Sequence, residues 1–251
     1  MAKTVAIVNQ KGGVGKTTTC VNLSSALHEA GKNVLLCDFD PQANSTSGMG
    51  VDKTAAQGIY DILINGSDVK AGVVHTRFGD VLPSSKSLAG AGIEMIGRDR
   101  REYLLKDSLS PLAQDYDFIL IDCPPSLELL TLNALCAAET LLVPVQSEYF
   151  ALEGLSDLLN TVRIVKRSLN PSLELEGVLL TMYDGRTNLA MQVAEEVKRY
   201  FPGKVYSTVI PRNVRLSEAP SHGKPINVYD RSSRGAEAYD AFAKEFLKKN
   251  S

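Results

Sequence analysis

Eight consecutive residues, Lys11-Gly12-Gly13-Val14-Gly15-Lys16-Thr17-Thr18, carry the chemistry most readily read from this chain. They follow an apolar run, Val5-Ala6-Ile7-Val8, and open a stretch from Thr19 to Ala30 that is patterned as a helix. Strand, glycine loop and helix in that order are the setting of a phosphate-binding loop. Glycines let successive backbone N–H groups turn toward one anion with no Cβ between them, and the helix N-terminus adds the positive end of its dipole. Lys16 is then expected to reach the β- and γ-phosphates of ATP, and the Thr17 hydroxyl to take a place on Mg²⁺.

The loop departs from the usual pattern at one position. A glycine is expected five positions before the glycine that precedes the lysine, and Gln10 stands there, followed at once by Lys11. Lys11 is badly placed to serve the γ-phosphate of its own nucleotide, but it could reach one held by a second copy. Lysines at both ends of the loop therefore point to a homodimer closed over ATP, in preference to a solvated lysine at a loop edge.

Carboxylates complete the set. Asp122 follows four apolar residues, Phe118-Ile119-Leu120-Ile121, as the metal-holding carboxylate of a phosphate-loop enzyme does. Asp38 and Asp40 flank Phe39 after another apolar run, Asn33 to Cys37. Hydrolysis needs a group that orients a water in line with the γ-phosphate. No Glu follows Asp122 directly, so Asp40 is the better candidate, and Thr17, Asp40 and Asp122 make up the expected magnesium set. Asp38 either helps to hold the metal or caps the turn. One such carboxylate, with no arginine finger evident, implies slow turnover that a partner could accelerate.

These groups need a scaffold, and the chain supplies strand candidates alternating with helical patterns. Besides the runs above, Thr140-Leu141-Leu142-Val143-Pro144 and Glu176-Gly177-Val178-Leu179-Leu180-Thr181 read as strands, as does Val205 to Ile210. Near-continuous apolar strands separated by helices imply a parallel sheet covered on both faces, with ligands at the carboxyl ends of its strands. The expected fold class is thus α/β: one phosphate-loop NTPase domain over residues 1–251, with a mainly parallel sheet flanked by helices on both faces. Val51 to Arg98 is less regular, with a short helix at Ile59 to Ile64 and a small strand at Val81-Leu82-Pro83. No repeat, low-complexity tract or linker marks a second domain.

Composition sets looser bounds. A chain of 251 residues with 44% apolar content can bury one sizeable core. Net charge is −2, which gives no overall affinity for polyanions. The charge is unevenly spread, however: residues 1–150 sum to −5 and residues 151–251 to +3, which permits a basic face in the C-terminal part. Cys20, Cys37, Cys123 and Cys136 show no CxxC spacing and read as reduced, buried thiols of a cytosolic protein. A metal-ligand role for Cys123, beside Asp122, is the lesser reading. Met1-Ala2-Lys3 runs straight into the first strand, so no signal peptide is expected, and no apolar run approaches a membrane span.

The loop resembles the deviant Walker A of the ParA/MinD ATPases, and from about Thr4 to Leu247 the chain is similar to the small chromosomal ParA type, also called Soj. Four further motifs carry the likeness: Cys37-Asp38-Phe39-Asp40-Pro41-Gln42, Ile121-Asp122-Cys123-Pro124-Pro125-Ser126, Glu148-Tyr149-Phe150-Ala151-Leu152-Glu153-Gly154, and Val209-Ile210-Pro211-Arg212-Asn213-Val214-Arg215. The resemblance implies a role in hydrolysis for Asp40, an adenine pocket lined by Pro211 and Asn213, and nonspecific DNA binding through Arg186 and Arg215. Other basic groups compete for that last role: Arg163, Lys166 and Arg167 on a helix whose opposite face is Leu152, Leu155, Leu159, Val162 and Val165, and Arg212 beside Arg215. The resemblance further implies a nucleoid-associated chromosome- or plasmid-partitioning ATPase whose hydrolysis is stimulated by a ParB-type centromere-binding protein.

The alternative is a MinD-like membrane-cycling ATPase that regulates division-site placement. Its anchor would be the last helix, where Tyr239, Phe242, Ala243, Phe246 and Leu247 form an apolar stripe opposite Lys244, Lys248 and Lys249. That helix starts at about Ser232, directly after the pocket segment, so packing on the body of the fold is expected and membrane attachment is not. A third reading, a metabolic synthetase or reductase of the same loop class, would call for a small-molecule pocket or cluster cysteines.

Overall fold

A strand that is apolar at every position has no face to give to water, so it must lie inside a sheet covered on both sides. The computed structural model describes residues 1–54, 57–148 and 151–250, with side-chain surroundings described outside 151–154. Its sheet is built this way. The strands are β1 Lys3–Ile7, β2 Val34–Asp38, β3 Val74–Thr76, β4 Gly79–Leu82, β5 Phe118–Asp122, β6 Thr140–Gln146 and β7 Glu174–Thr181, in the order β3-β4-β2-β5-β1-β6-β7. All neighbours are parallel except β3 and β4, which form an antiparallel pair at one edge.

Alternation along the strands sorts residues into two cores. Val5, Ile7, Leu36, Leu120 and Leu179 face one side, while Ala6, Leu35, Ile119, Val143 and Val178 face the other. The first face is covered by the helix Lys16–Glu29 and by the C-terminal helix Arg234–Lys249. The second is covered by the helices Leu129–Ala137, Ala151–Ser168 and Asn188–Tyr200, with shorter helical turns between residues 59 and 109.

The C-terminal stripe packs inward, as expected. Tyr239, Phe242, Ala243 and Phe246 are buried, and Leu247 is partly so. Phe246 meets Phe118 edge-on with centroids 5.4 Å apart, and Phe242 meets Tyr206 at 4.8 Å. The Tyr239 hydroxyl pairs with Thr19 Oγ1 at 3.1 Å, tying this helix to the one that follows the glycine loop. No helix among the described residues is long and apolar enough to cross a membrane.

One expected strand is not a strand. Val205 to Ile210 touches β7 only at its ends: Val178 N donates to Lys204 O and Tyr206 N to Val178 O, both at 2.9 Å, and Ile210 N donates to Leu180 O at 2.8 Å. Between them the Ser207 and Thr208 N–H groups turn to the Glu245 carboxylate, each at 2.8 Å. Two charge-assisted bonds from the C-terminal helix thus replace the ladder bonds a strand would have made. The small strand at Val81 begins two residues earlier, as β4, and gains β3 as a partner.

Candidate functional site

Register brings the loop and carboxylates together. Parallel pairing sets Asp122 opposite Ile7 on one side and Asp38 on the other, so β1, β2 and β5 end abreast. The chain leaves β1 through Val8 and Asn9 into the loop. Asn9 is buried and works at both ends of its amide: Nδ2 donates to Pro144 O at 2.8 Å, and Oδ1 accepts from Lys11 N at 3.0 Å. From β7, Thr181 Oγ1 donates to Val14 O at 2.8 Å. The loop is thereby pinned to β6 and β7, the two strands that follow β1 toward one edge of the sheet. Gly15 has φ +88°, a conformation that side-chain-bearing residues rarely adopt, and caps the helix Lys16–Glu29, which starts inside the loop.

Gly12 and Gly13 are exposed, Val14 is buried, and Thr17 and Thr18 are half-buried. Lys16 is only 6% exposed, and its Nζ donates to Lys11 O at 3.0 Å across the loop. Burial lowers its pKa, opposed first by the charge of Asp122 and then by those of Cys123 and Asp40. Lys11 turns the other way: its Nζ lies 3.4 Å from Glu148 Oε2, beyond the end of β6. The two ammonium groups thus point to different places, Lys16 across the loop and Lys11 out of it.

Asp122 is fully buried. Burial and the neighbouring Asp38 raise its pKa, against hydrogen bonds from Ser45 and Thr17 that lower it. Its Oδ2 accepts from Ser45 Oγ at 2.7 Å, but its Oδ1 is buried with no hydrogen-bond partner. A buried carboxylate oxygen without a partner is costly unless something positive is to sit there. Among the described residues no group of three His, Cys, Asp or Glu forms a metal cage. Magnesium does not require one, since it takes one or two protein oxygens and completes its shell with phosphates and water. The residues present thus fit a magnesium ion bound beside a phosphate.

Asp38 and Asp40 differ. Asp38 is fully committed: Oδ2 accepts from Thr46 N and Thr46 Oγ1, both at 2.7 Å, and Oδ1 from Asp40 N at 3.2 Å. It caps the turn, the second of the two roles its position allowed. Burial still raises its pKa. Asp40 is 8% exposed and uses Oδ1 to accept from Gln42 N at 2.9 Å, closing a local turn. Cys123 packs in the core, where burial pushes its thiol well up, and its Sγ lies 3.8 Å from Ile121 O.

Pro211 and Asn213 come near the loop by way of β7. Thr181 touches Val14, and two residues on, Tyr183 bridges to Pro211. Asn213 starts the short helix Val214–Glu218 without capping it, and its Oδ1 is buried and unpartnered. It joins Asp122 Oδ1 among the buried oxygens without a partner in the described residues, as do Ser84 Oγ and Ser147 Oγ past the ends of β4 and β6.

Of the two expected DNA-binding arginines, Arg186 lies in the turn after β7 and Arg215 in the short helix Val214–Glu218, and both are engaged. Arg186 makes a two-pronged pair with Asp184 at 2.8 and 2.7 Å, holding that carboxyl down at about 2. Arg215 bridges Glu218 at 2.8 Å and Asp230 at 3.3 Å. Of the rival group, Lys166 pairs with Glu174 and Arg163 with Asn160. In the Glu148 to Gly154 motif, Tyr149, Phe150 and the side chains of 151–154 lie outside the described residues.

A family model described as an AAA domain matches residues 2–175. The sporulation initiation inhibitor protein Soj of Bacillus subtilis is 60% identical over 250 residues, covering 98% of each chain. The chromosome partitioning protein ParA of Myxococcus xanthus is 50% identical over 253 residues, covering 100% of this chain and 89% of its own. Among solved structures, a cobyrinic acid a,c-diamide synthase of Mycobacterium smegmatis with bound ADP and magnesium superposes with a TM-score of 0.87. It is 38% identical, covering 99% of this chain and 95% of its own.

Proposed function

The chain belongs to the Soj/ParA family of phosphate-loop ATPases, and from that premise we propose that it is an ATP-dependent DNA-segregation ATPase of slow intrinsic turnover. ATP closes a homodimer, the dimer binds double-stranded DNA without sequence preference, and hydrolysis releases it. A ParB-type centromere-binding protein is the stimulating partner, and the nucleoid in the cytoplasm is the place of action. The observation that carries this reading is Asp122, buried with one oxygen unpartnered at the strand end beside Lys16 and Thr17.

The residues divide the work. Backbone N–H groups of Gly12 to Thr18 cradle the phosphates, and Lys16 sets its charge against the β- and γ-oxygens. Thr17 and Asp122 would hold magnesium, with Asp40 as the third member of the set, and the ion when bound neutralises charge on those oxygens. Asp40 orients the attacking water. Lys11, turned out of its own loop, serves the phosphates of the second copy. Pro211 and the open Asn213 oxygen receive the adenine edge, whose amino group is a donor.

DNA binding rests on Arg186 and Arg215, doubled by dimer closure. Each must exchange a carboxylate for a phosphate, so one arginine contributes little and several together are needed. The burial of the C-terminal stripe speaks against a membrane-cycling role through that helix. The test is binding to random-sequence duplex DNA across salt, with ATP and ADP compared, beside light-scattering mass. ATP-dependent, salt-sensitive binding by a dimer is expected. Equal binding with ADP, or none at low salt, overturns the proposal, and ATP-dependent sedimentation with anionic liposomes would move it to the membrane class.

A further inference from the structure

Asp40 and Asp122 sit at the ends of different strands, and a single hydroxyl joins the segments that carry them. Ser45 lies five residues after Asp40, in the short helix Asn44–Gly48. Its Oγ donates to Asp122 Oδ2 at 2.7 Å, and both residues are fully buried. A hydroxyl-to-carboxyl bond of that length is of the strong kind, and its loss would take from Asp122 one of the two side-chain hydrogen bonds it accepts.

The neighbouring residue does something different. Thr46 donates twice to Asp38 and accepts from Ser84 N at 3.0 Å, so it ties the segment to β2, the strand from which Asp40 itself emerges. Among the described residues, no other side chain between Pro41 and Gly50 bonds to Asp122. Between Asp40 and Ser45 the chain passes through Ala43 at φ +52°, a left-handed conformation that a residue with a Cβ keeps only when its surroundings hold it there. Ala43 N donates to Asp40 O at 2.9 Å on one side of that bend, and Ser45 anchors the other. The bend is therefore held from two strand ends at once, from Asp38 through Thr46 and from Asp122 through Ser45.

We propose that Ser45 is a positioning residue that couples the two carboxylates: its hydroxyl commits one oxygen of Asp122, leaves the other for the cation, and sets the Asp40 turn against it. The proposal rests on the roles given above to Asp122 and Asp40. Cation binding at Asp122 then stiffens the Asp40 turn, and displacement of Ser45 loosens it. Removing a partner that orients a metal ligand typically costs tenfold or more in metal affinity or activity.

The test uses the full chain with a non-hydrolysable ATP analogue. Amide hydrogen exchange over residues 41–50 and over the glycine loop is followed while magnesium is titrated. In the parental protein, protection of both segments should rise with magnesium. Ser45→Ala should keep loop protection by the nucleotide but need about tenfold more magnesium, with residues 41–50 no longer responding. In turnover it should lower kcat about tenfold at an unchanged KM, and Ser45→Thr, which keeps the hydroxyl, should restore both readouts. Parental magnesium dependence and exchange in Ser45→Ala overturns the proposal, as does a Ser45→Thr variant that behaves like Ser45→Ala. Asp122→Asn, run alongside, separates the two levels. If it too leaves the magnesium response unchanged, the reading of Asp122 fails. If it abolishes the response while Ser45→Ala does not, only the coupling fails.

Discussion

The phosphate-loop end of the sheet and the surface around Arg186 and Arg215 handle charge in opposite ways. Lys16, Asp38, Asp40 and Asp122 are each less than a tenth exposed, and Asp122 and Asn213 keep an oxygen without a partner. Arg186 and Arg215 are in solvent, with side chains 90% and 54% exposed, and each already holds a carboxylate. Burial makes every missing or extra charge at the first site expensive, so a single residue can decide whether ligand binds. At the second, water and salt screen each pair, so only numbers count. The first region resembles a lock finished but for its key, and the second a surface that trades one anion for another.

The largest effect should come from Lys16→Ala. It removes the loop's buried cation, and nucleotide affinity should fall by at least about 100-fold, the cost of one charge-assisted bond in a site that keeps out water. Isothermal titration with ATP checks it. Affinity within threefold of parental would break the contrast at its stronger side.

Next comes Asp40→Ala. ATP binding and dimer mass should persist while hydrolysis drops by about 10² to 10⁴, the range of a lost general base or water-orienting group, leaving the dimer trapped on DNA. Parental turnover with the partner protein present would remove Asp40 from that role.

Arg186→Ala or Arg215→Ala should act more gently. Each removes two phosphate contacts per dimer, so the slope of log affinity against log salt should flatten by about two units, with the ATP-bound mass unchanged. Should mass revert to monomer, the arginine belongs to closure or to nucleotide binding. If slope and affinity stay put, the basic face lies near Arg163 to Arg167.

The smallest effect sharpens the comparison within the buried site. In chelator-treated protein the Asp38 and Asp122 carboxyls are raised, to about 6 and about 7, by burial first and by neighbouring charge after it. Raised carboxyls contribute stability that is present below the unfolded value near pH 4 and is lost as pH climbs through the folded values. Asp122→Asn, neutral at every pH, should therefore melt about level with the parental protein at about pH 4 and above it at about pH 8. A melting difference that does not grow with pH would show that Asp122 is ionised at little cost.

Much of the strand framework at this end of the sheet was legible in the sequence, and the reason is physical. β2 and β5 are apolar and buried up to the aspartate that ends each, and β1 is apolar and buried from Val5 on, a few residues ahead of Lys11 and the glycines. Their ends, and so Lys16, Asp40 and Asp122, could be read directly. β3 could not: it has three residues, one of them His75, and lies half in solvent at a sheet edge. Val205 to Ile210 misled because its amides are captured by Glu245, some 37 residues away in sequence. Asn9, Ser45 and Thr181 are uncharged polar residues whose partners are far off in the chain, and no spacing announces them. The adenine and DNA contacts were assigned by resemblance, and Asn213 Oδ1 is the one atom among them that the structure leaves conspicuously open.

The bond between Thr19 and Tyr239 spans 220 positions of sequence. Read as time, that span is a wait. At the usual 5–20 residues per second of synthesis, roughly 10 to 45 seconds separate the making of the phosphate loop from the making of the helix that covers its supporting face. For that interval Leu23 and Leu27, which pack with Phe242 and Phe246 in the finished core, have no lid. A nascent chain thus carries the most ligand-ready segment of the protein first and finishes its housing last, so the ribosome-bound chain is the form most open to chaperones and to aggregation.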